Sequence, residues 1–116
     1  MNTQTAKAEL EAFGAGRFRL SGVLDAATVV GVLERSRELF RNGSELQVDL
    51  SEVTAGDSAG LALLIEWLRM AHARGQRIRF ENIPEQICAL ARISQVEELL
   101  KGGPATSNQT SNQREA

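Results

Sequence analysis

At 116 residues the chain is one domain's length, enough to bury about two thirds of its unfolded surface around a single core. Apolar residues make up 42% and charged residues 24%, a globular balance that excludes wholesale disorder. With 13 Lys and Arg against 15 Asp and Glu the net charge is -2, so nothing in the overall balance points to a nucleic-acid partner. The longest wholly apolar run, residues 59–65, is far short of the roughly 20 residues a membrane helix needs, so no direct membrane insertion is expected. The first residues carry no basic start followed by an apolar block, so the chain reads as cytoplasmic. Cys88 is the only cysteine, which rules out an intramolecular disulfide and agrees with a reducing compartment.

Residues 8–13 and 17–21 both alternate polar and apolar, and Gly14-Ala15-Gly16 between them reads as a three-residue hairpin loop. Pairing Phe13 with Arg17 sets Glu11 opposite Arg19 and Leu10 opposite Leu20, with charges on one face and apolar side chains on the other. Asp25 is the expected N-cap of a first helix, whose apolar face is Val29, Val32, Leu33, Ser36, Leu39 and Phe40 and which Asn42-Gly43 ends. A short strand follows at 46–50, then a turn, then a second helix that starts at Asp57-Ser58-Ala59-Gly60. Gly75 suits the left-handed residue after its C-terminus. Residues 77–80 form a strand with Ile78 and Phe80 inward, Pro84 fits the first turn of a third helix, and 95–101 adds a short helical turn. The polar residues 102–116 have almost nothing apolar to bury and read as a disordered tail behind a domain at 1–101. The expected class is α/β: a mixed four-stranded sheet with an N-terminal antiparallel hairpin and helices on one face.

The inventory for catalysis is poor. His72 is the only histidine and lies mid-helix beside Arg69 and Arg74, and the single thiol packs within the third helix. No metal site can be assembled from this set at typical ligand spacing, and the nucleotide-binding glycine loops are missing. Neither an enzyme nor a cofactor is expected. Ser58 stands out instead: a hydroxyl where a helix begins is either a cap or a regulatory switch, because a phosphate there adds about -1.5 to -2 charge beside Asp57 and Asp25. The small residues Ala59 and Gly60 allow another surface to approach closely. The second helix also carries two apolar stripes at 100° per residue. Leu61, Leu64, Ile65 and Leu68 form the main one, and Ala59, Leu63, Trp67 and Met70 the other. Either neighbouring helices bury the second stripe, or it is partly exposed and continues a partner surface from Ser58.

Leu20-Ser21-Gly22-Val23-Leu24-Asp25, Val48-Asp49-Leu50-Ser51 and Asp57-Ser58-Ala59-Gly60-Leu61 together resemble a STAS domain, the fold named for sulfate transporters and anti-sigma factor antagonists. In the antagonists the Ser or Thr after the Asp is phosphorylated by a partner kinase, which breaks the complex; by position this is Ser58. The run from Gly60-Leu61-Ala62-Leu63-Leu64 to Ala71 and Gly75 is most similar to the MlaB-type cytoplasmic subunits of phospholipid ABC transporters that maintain outer-membrane lipid asymmetry. That resemblance implies an ATPase subunit as partner, cytoplasmic residence beside the inner membrane through the complex, and an interface of Asp25, Asp57, Ser58, Ala59, Gly60, Leu63, Trp67 and Met70. The alternative it implies is an anti-sigma factor antagonist whose partner is a kinase. Ala59 departs from the antagonists, many of which carry a second Ser or Thr at that position.

Overall fold

The computed structural model describes residues 7–101, so the polar tail expected over 102–116 lies outside the described residues. Its elements are β1 (Ala8–Gly14), β2 (Arg17–Leu24), α1 (Val29–Leu39), β3 (Glu45–Gly56), α2 (Ser58–Ala73), β4 (Arg77–Glu81), α3 (Glu85–Ile93) and α4 (Glu97–Leu100). The strands form one sheet in the order β1-β2-β3-β4, antiparallel at the hairpin and parallel across β2, β3 and β4. Alternation decides which face is covered. Leu10, Phe18, Leu20, Leu46, Val48, Leu50 and Ile78 are buried beneath the helices, while Glu9, Glu11, Arg17, Gln47, Arg77 and Arg79 stand on the open face.

The hairpin pairs Glu11 with Arg19 and Leu10 with Leu20 as expected, but Gly14, not Phe13, lies opposite Arg17. A bulge between Ala12 and Gly14 shifts the register, and the turn tightens to Ala15-Gly16. Gly16 makes this possible: its φ is 69°, and a side chain there would lie 2.5 Å from the Glu45 carbonyl. β3 is also longer than the expected 46–50. It runs on through Ser51, Glu52, Val53 and Thr54, where sequence suggests a turn, because two irregularities against β2 absorb the broken alternation.

Asp25 does not cap α1 directly. Its Oδ1 accepts from the N–H groups of Ala27 (2.9 Å) and Thr28 (3.1 Å), while Thr28 Oγ1 accepts from the Asp25 N–H at 3.0 Å. The pair closes a turn that leads into the helix, whose N-cap is Thr28. Gly75 takes its expected left-handed φ, 70°, after α2. Pro84 is the residue before α3 and not within its first turn, and α4 supplies the expected short final turn, burying Leu100.

The second stripe of α2 is largely core. Leu63 is 3% and Trp67 1% exposed, and Met70 is half-buried. Trp67 belongs to an aromatic chain: Phe18 meets Phe40 at 4.8 Å, Phe40 meets Trp67 at 5.1 Å, both edge-on, and Trp67 stacks near Phe80 at 6.3 Å. The buried Trp67 Nε1–H donates to Ser36 Oγ at 2.8 Å, and Ser36 donates in turn to the Leu33 carbonyl at 2.7 Å. A middle helix flanked by α1 and α3 has two neighbours to satisfy, which accounts for its two stripes. Leu63 and Trp67 are therefore not partner-facing.

Candidate functional site

The parallel strands β2 and β3 both end at one edge of the sheet, the place where open α/β sheets present their loops. Three segments meet there: the Asp25 turn after β2, Gly56-Asp57-Ser58-Ala59 after β3, and the start of α3. The Asp57 N–H donates to the Leu24 carbonyl at 3.1 Å, which fixes the end of β2 beside the start of α2. The Gly56 N–H donates to Gln86 Oε1 at 3.1 Å, which brings in α3. Close packing holds the three together. A Cβ on Gly60 would lie 3.0 Å from Leu24 Cβ and 3.2 Å from Ile87 Cδ1, and one on Gly56 would lie 2.8 Å from Ile87 Cδ1. Gly60 is buried. Its smallness serves the packing of α2 against Leu24 of β2 and Ile87 of α3, not the approach of a partner.

The cap of α2 is Asp57, whose Oδ1 accepts from the Ala59 N–H at 2.8 Å. Ser58 is the first helical residue and is exposed, and among the described residues no hydrogen bond engages its hydroxyl. The cap and the exposed hydroxyl thus belong to two adjacent residues. Ala59 is half-exposed beside Ser58, and Asp25 is half-exposed on the neighbouring turn. At 100° per residue Ser58 heads the outward strip of α2, followed by Ala62, Ile65 and Arg69, of which Ala62 and Arg69 are exposed and Ile65 half-buried. Arg69 is tied to Glu66 at 2.6 Å.

Of the interface residues expected from sequence, the structure gathers Asp25, Asp57, Ser58 and Ala59 at the tip, and it places Gly60, Leu63 and Trp67 in the interior. Sequence reasoning missed Ala62, Ile65, Thr28 and Gln86. The helical spacing from Ser58 could have found Ala62 and Ile65; the two others depend on tertiary contacts. His72 is exposed in the last turn of α2, whereas Cys88 lies half-buried on α3 with its Sγ donating to the Ile83 carbonyl at 3.7 Å. Burial, and then the Glu85 carboxylate, push the Cys88 thiol up from its ordinary value, which makes it a poor nucleophile. Among the described residues no group of three or more His, Cys, Asp or Glu could hold a metal ion, and no helix is long and apolar enough to cross a membrane. The arrangement is a small, closely packed tip that carries the carboxylates of Asp25 and Asp57 and, among the described residues, a Ser58 hydroxyl that no hydrogen bond engages.

Residues 9–101 match the family model described as Mlab, STAS domain. The anti-sigma-B factor antagonist of Bacillus subtilis is 24% identical over 81 residues, 70% of this chain and 74% of its own length. The intermembrane phospholipid transport system binding protein MlaB of Escherichia coli is 28% identical over 74 residues, 64% of this chain and 74% of its own length. Among solved structures, the unphosphorylated form of the anti-sigma factor antagonist SpoIIAA superimposes with a TM-score of 0.63 at 16% identity, covering 88% of each chain, which shows a shared fold.

Proposed function

The chain belongs to the STAS domain family, and on that premise we propose that it is a non-enzymatic docking subunit of a phospholipid-transport ABC complex, bound to the ATPase through its tip. The observation that carries this reading is the separation of Asp57 from Ser58: with the cap supplied by the carboxylate, the hydroxyl is left exposed at the head of the outward strip of α2, beside the small residues Ala59 and Ala62. Similarity to MlaB supports a transporter as the setting, with the domain in the cytoplasm and held beside the inner membrane by the complex. In this role Ser58, Ala59 and Ala62 meet the ATPase closely, and Asp57 and Asp25 supply the charge at the rim. The domain stabilises or activates the ATPase by binding it.

A second reading is carried by the same exposed hydroxyl together with the similarity to an anti-sigma-B factor antagonist. In it a partner kinase phosphorylates Ser58. The helix accepts the phosphate at its N-terminus, but a partner docked over Ser58 meets about two added negative charges beside Asp57 and is released. Affinity purification of the tagged full chain from native cells separates the two. Recovery of a nucleotide-binding subunit and its permease, with Ser58 unmodified, is the expected result. Recovery of a kinase-like anti-sigma factor with phosphate on Ser58 overturns the transporter reading.

A further inference from the structure

The end of the molecule opposite the tip carries charge of the other sign. β2, β3 and β4 begin there at Arg17, Glu45 and Arg77, and α1 and α2 end there. Three loops are locked into one platform by side-chain and backbone hydrogen bonds. Gln76 Nε2 donates to the carbonyls of Phe40 (2.8 Å) and Gly43 (2.9 Å), the Arg77 N–H to Ser44 (2.8 Å), and the Gln47 N–H to Gly16 in the hairpin turn (2.8 Å). Arg17, Arg37, Arg41, Arg74 and Arg77 stand exposed on this platform. The carboxylates among them are Glu38 and Glu45, the second already 4.0 Å from Arg77. Phe13, 42% exposed at the hairpin bulge, is at the same end, its ring centroid 4.9 Å from the Arg17 guanidinium and 4.5 Å from that of Arg19.

Complementing helix dipoles accounts for Arg37 and Arg74, which lie at helix C-termini. It does not account for Arg17 and Arg77, which open strands, or for an aromatic ring kept in water beside two cations. We propose that this end rests on an anionic phospholipid surface. The arginines are spread over three loops and two strand starts, a pattern that a fixed acidic partner would have to match charge for charge. Laterally mobile headgroups match any pattern, and each basic residue at such a surface raises partitioning about fivefold. Phe13 adds an apolar side chain of the kind that sits at the headgroup boundary. Because the whole chain carries a net charge of -2, the remainder is repelled and the orientation is fixed: basic end down, acidic tip free for a protein partner.

The proposal stands independently of the ATPase reading and is tested without it. The full chain is floated at low salt with vesicles of equal parts phosphatidylglycerol and phosphatidylcholine, and with phosphatidylcholine alone. Binding to the anionic vesicles only is expected, with partitioning about 25-fold weaker in the Arg41→Gln, Arg77→Gln double variant and an unchanged unfolding midpoint. Phe13→Ala should weaken it further. Equal partitioning into both vesicles, none into the anionic ones, or a double variant within twofold of the parent overturns the proposal. So does concentration-dependent self-association that the double variant abolishes while vesicles stay unbound, since the basic end then pairs with the acidic tip of a second copy.

Discussion

Gly56→Ala tests how tightly the tip is built. The backbone of Gly56 does not require glycine, because its φ is not positive; what excludes a side chain is space, with Ile87 Cδ1 2.8 Å and Cγ1 3.1 Å from the added Cβ. Overpacking of this kind costs about 1–3 kcal/mol. Removing Cδ1 alone, as Ile87→Val, leaves a one-methyl cavity at a fully buried site and costs about 1 kcal/mol. In the double variant the new methyl occupies the space Cδ1 has left. Its cost should fall below the sum of the singles by about 1 kcal/mol, a coupling typical of residues in direct contact. Urea unfolding with a constant slope reads this as a midpoint recovery of about 0.5–1 M. Costs that simply add, within about 0.3 kcal/mol, would show that Gly56 and Ile87 do not share the space the structure gives them.

Ser36→Ala leaves the buried Trp67 Nε1–H without its acceptor and should cost about 1–3 kcal/mol in chemical unfolding; a neutral result would remove that hydrogen bond from the core's polar contacts. Asp49 is held below the usual carboxylate range chiefly by the Asn82 amide (2.9 Å), helped by the N–H and hydroxyl of Ser51 and by Arg19. A lowered folded-state value means its contribution is full above the ordinary Asp value of about 3.9 and is lost as pH falls through the folded one. The stability gap between the parent and Asp49→Asn should therefore be constant near neutrality and close below about pH 4, and a gap that persists in acid contradicts it. Cys88, pushed up by burial and by Glu85, should react slowly with a thiol reagent at pH 7 in the folded protein and much faster in urea; equal rates would mean an accessible thiolate.

Most of the architecture is legible in the periodicity of the sequence. Alternation at Leu46, Val48 and Leu50 and the helical spacing of Leu61, Leu64 and Ala71 located the core, because burial is what maintains those patterns. Where the outcome depended on packing between elements, sequence was ambiguous. The stripe of Leu63 and Trp67 looks the same whether it meets a partner or α1, and only the aromatic chain through Phe40 and the bond to Ser36 decide it. Gly60 likewise reads as room for another surface until Leu24 and Ile87 are seen to fill that room. β3 was cut short by polar residues at 51, 52 and 54, since bulges against β2 leave no period to detect. At the tip, local chemistry is more legible: the sequence marks Asp25, Asp57 and Ser58, and the structure sets them on adjacent segments. Which of Asp57 and Ser58 caps the helix needed the 2.8 Å contact to Ala59.

The affinity of the purified chain for the nucleotide-binding subunit of the proposed transporter, compared between the parent, Ala59→Arg and Arg79→Glu, tests the proposed docking through the tip. Ala59 is half-exposed at the tip and Arg79 is exposed on the open sheet face, so both variants should fold with near-parental stability. A loss of at least tenfold for Ala59→Arg, about 1.4 kcal/mol or more, with Arg79→Glu unchanged, is the predicted result. Undiminished binding by a folded Ala59→Arg variant would contradict it.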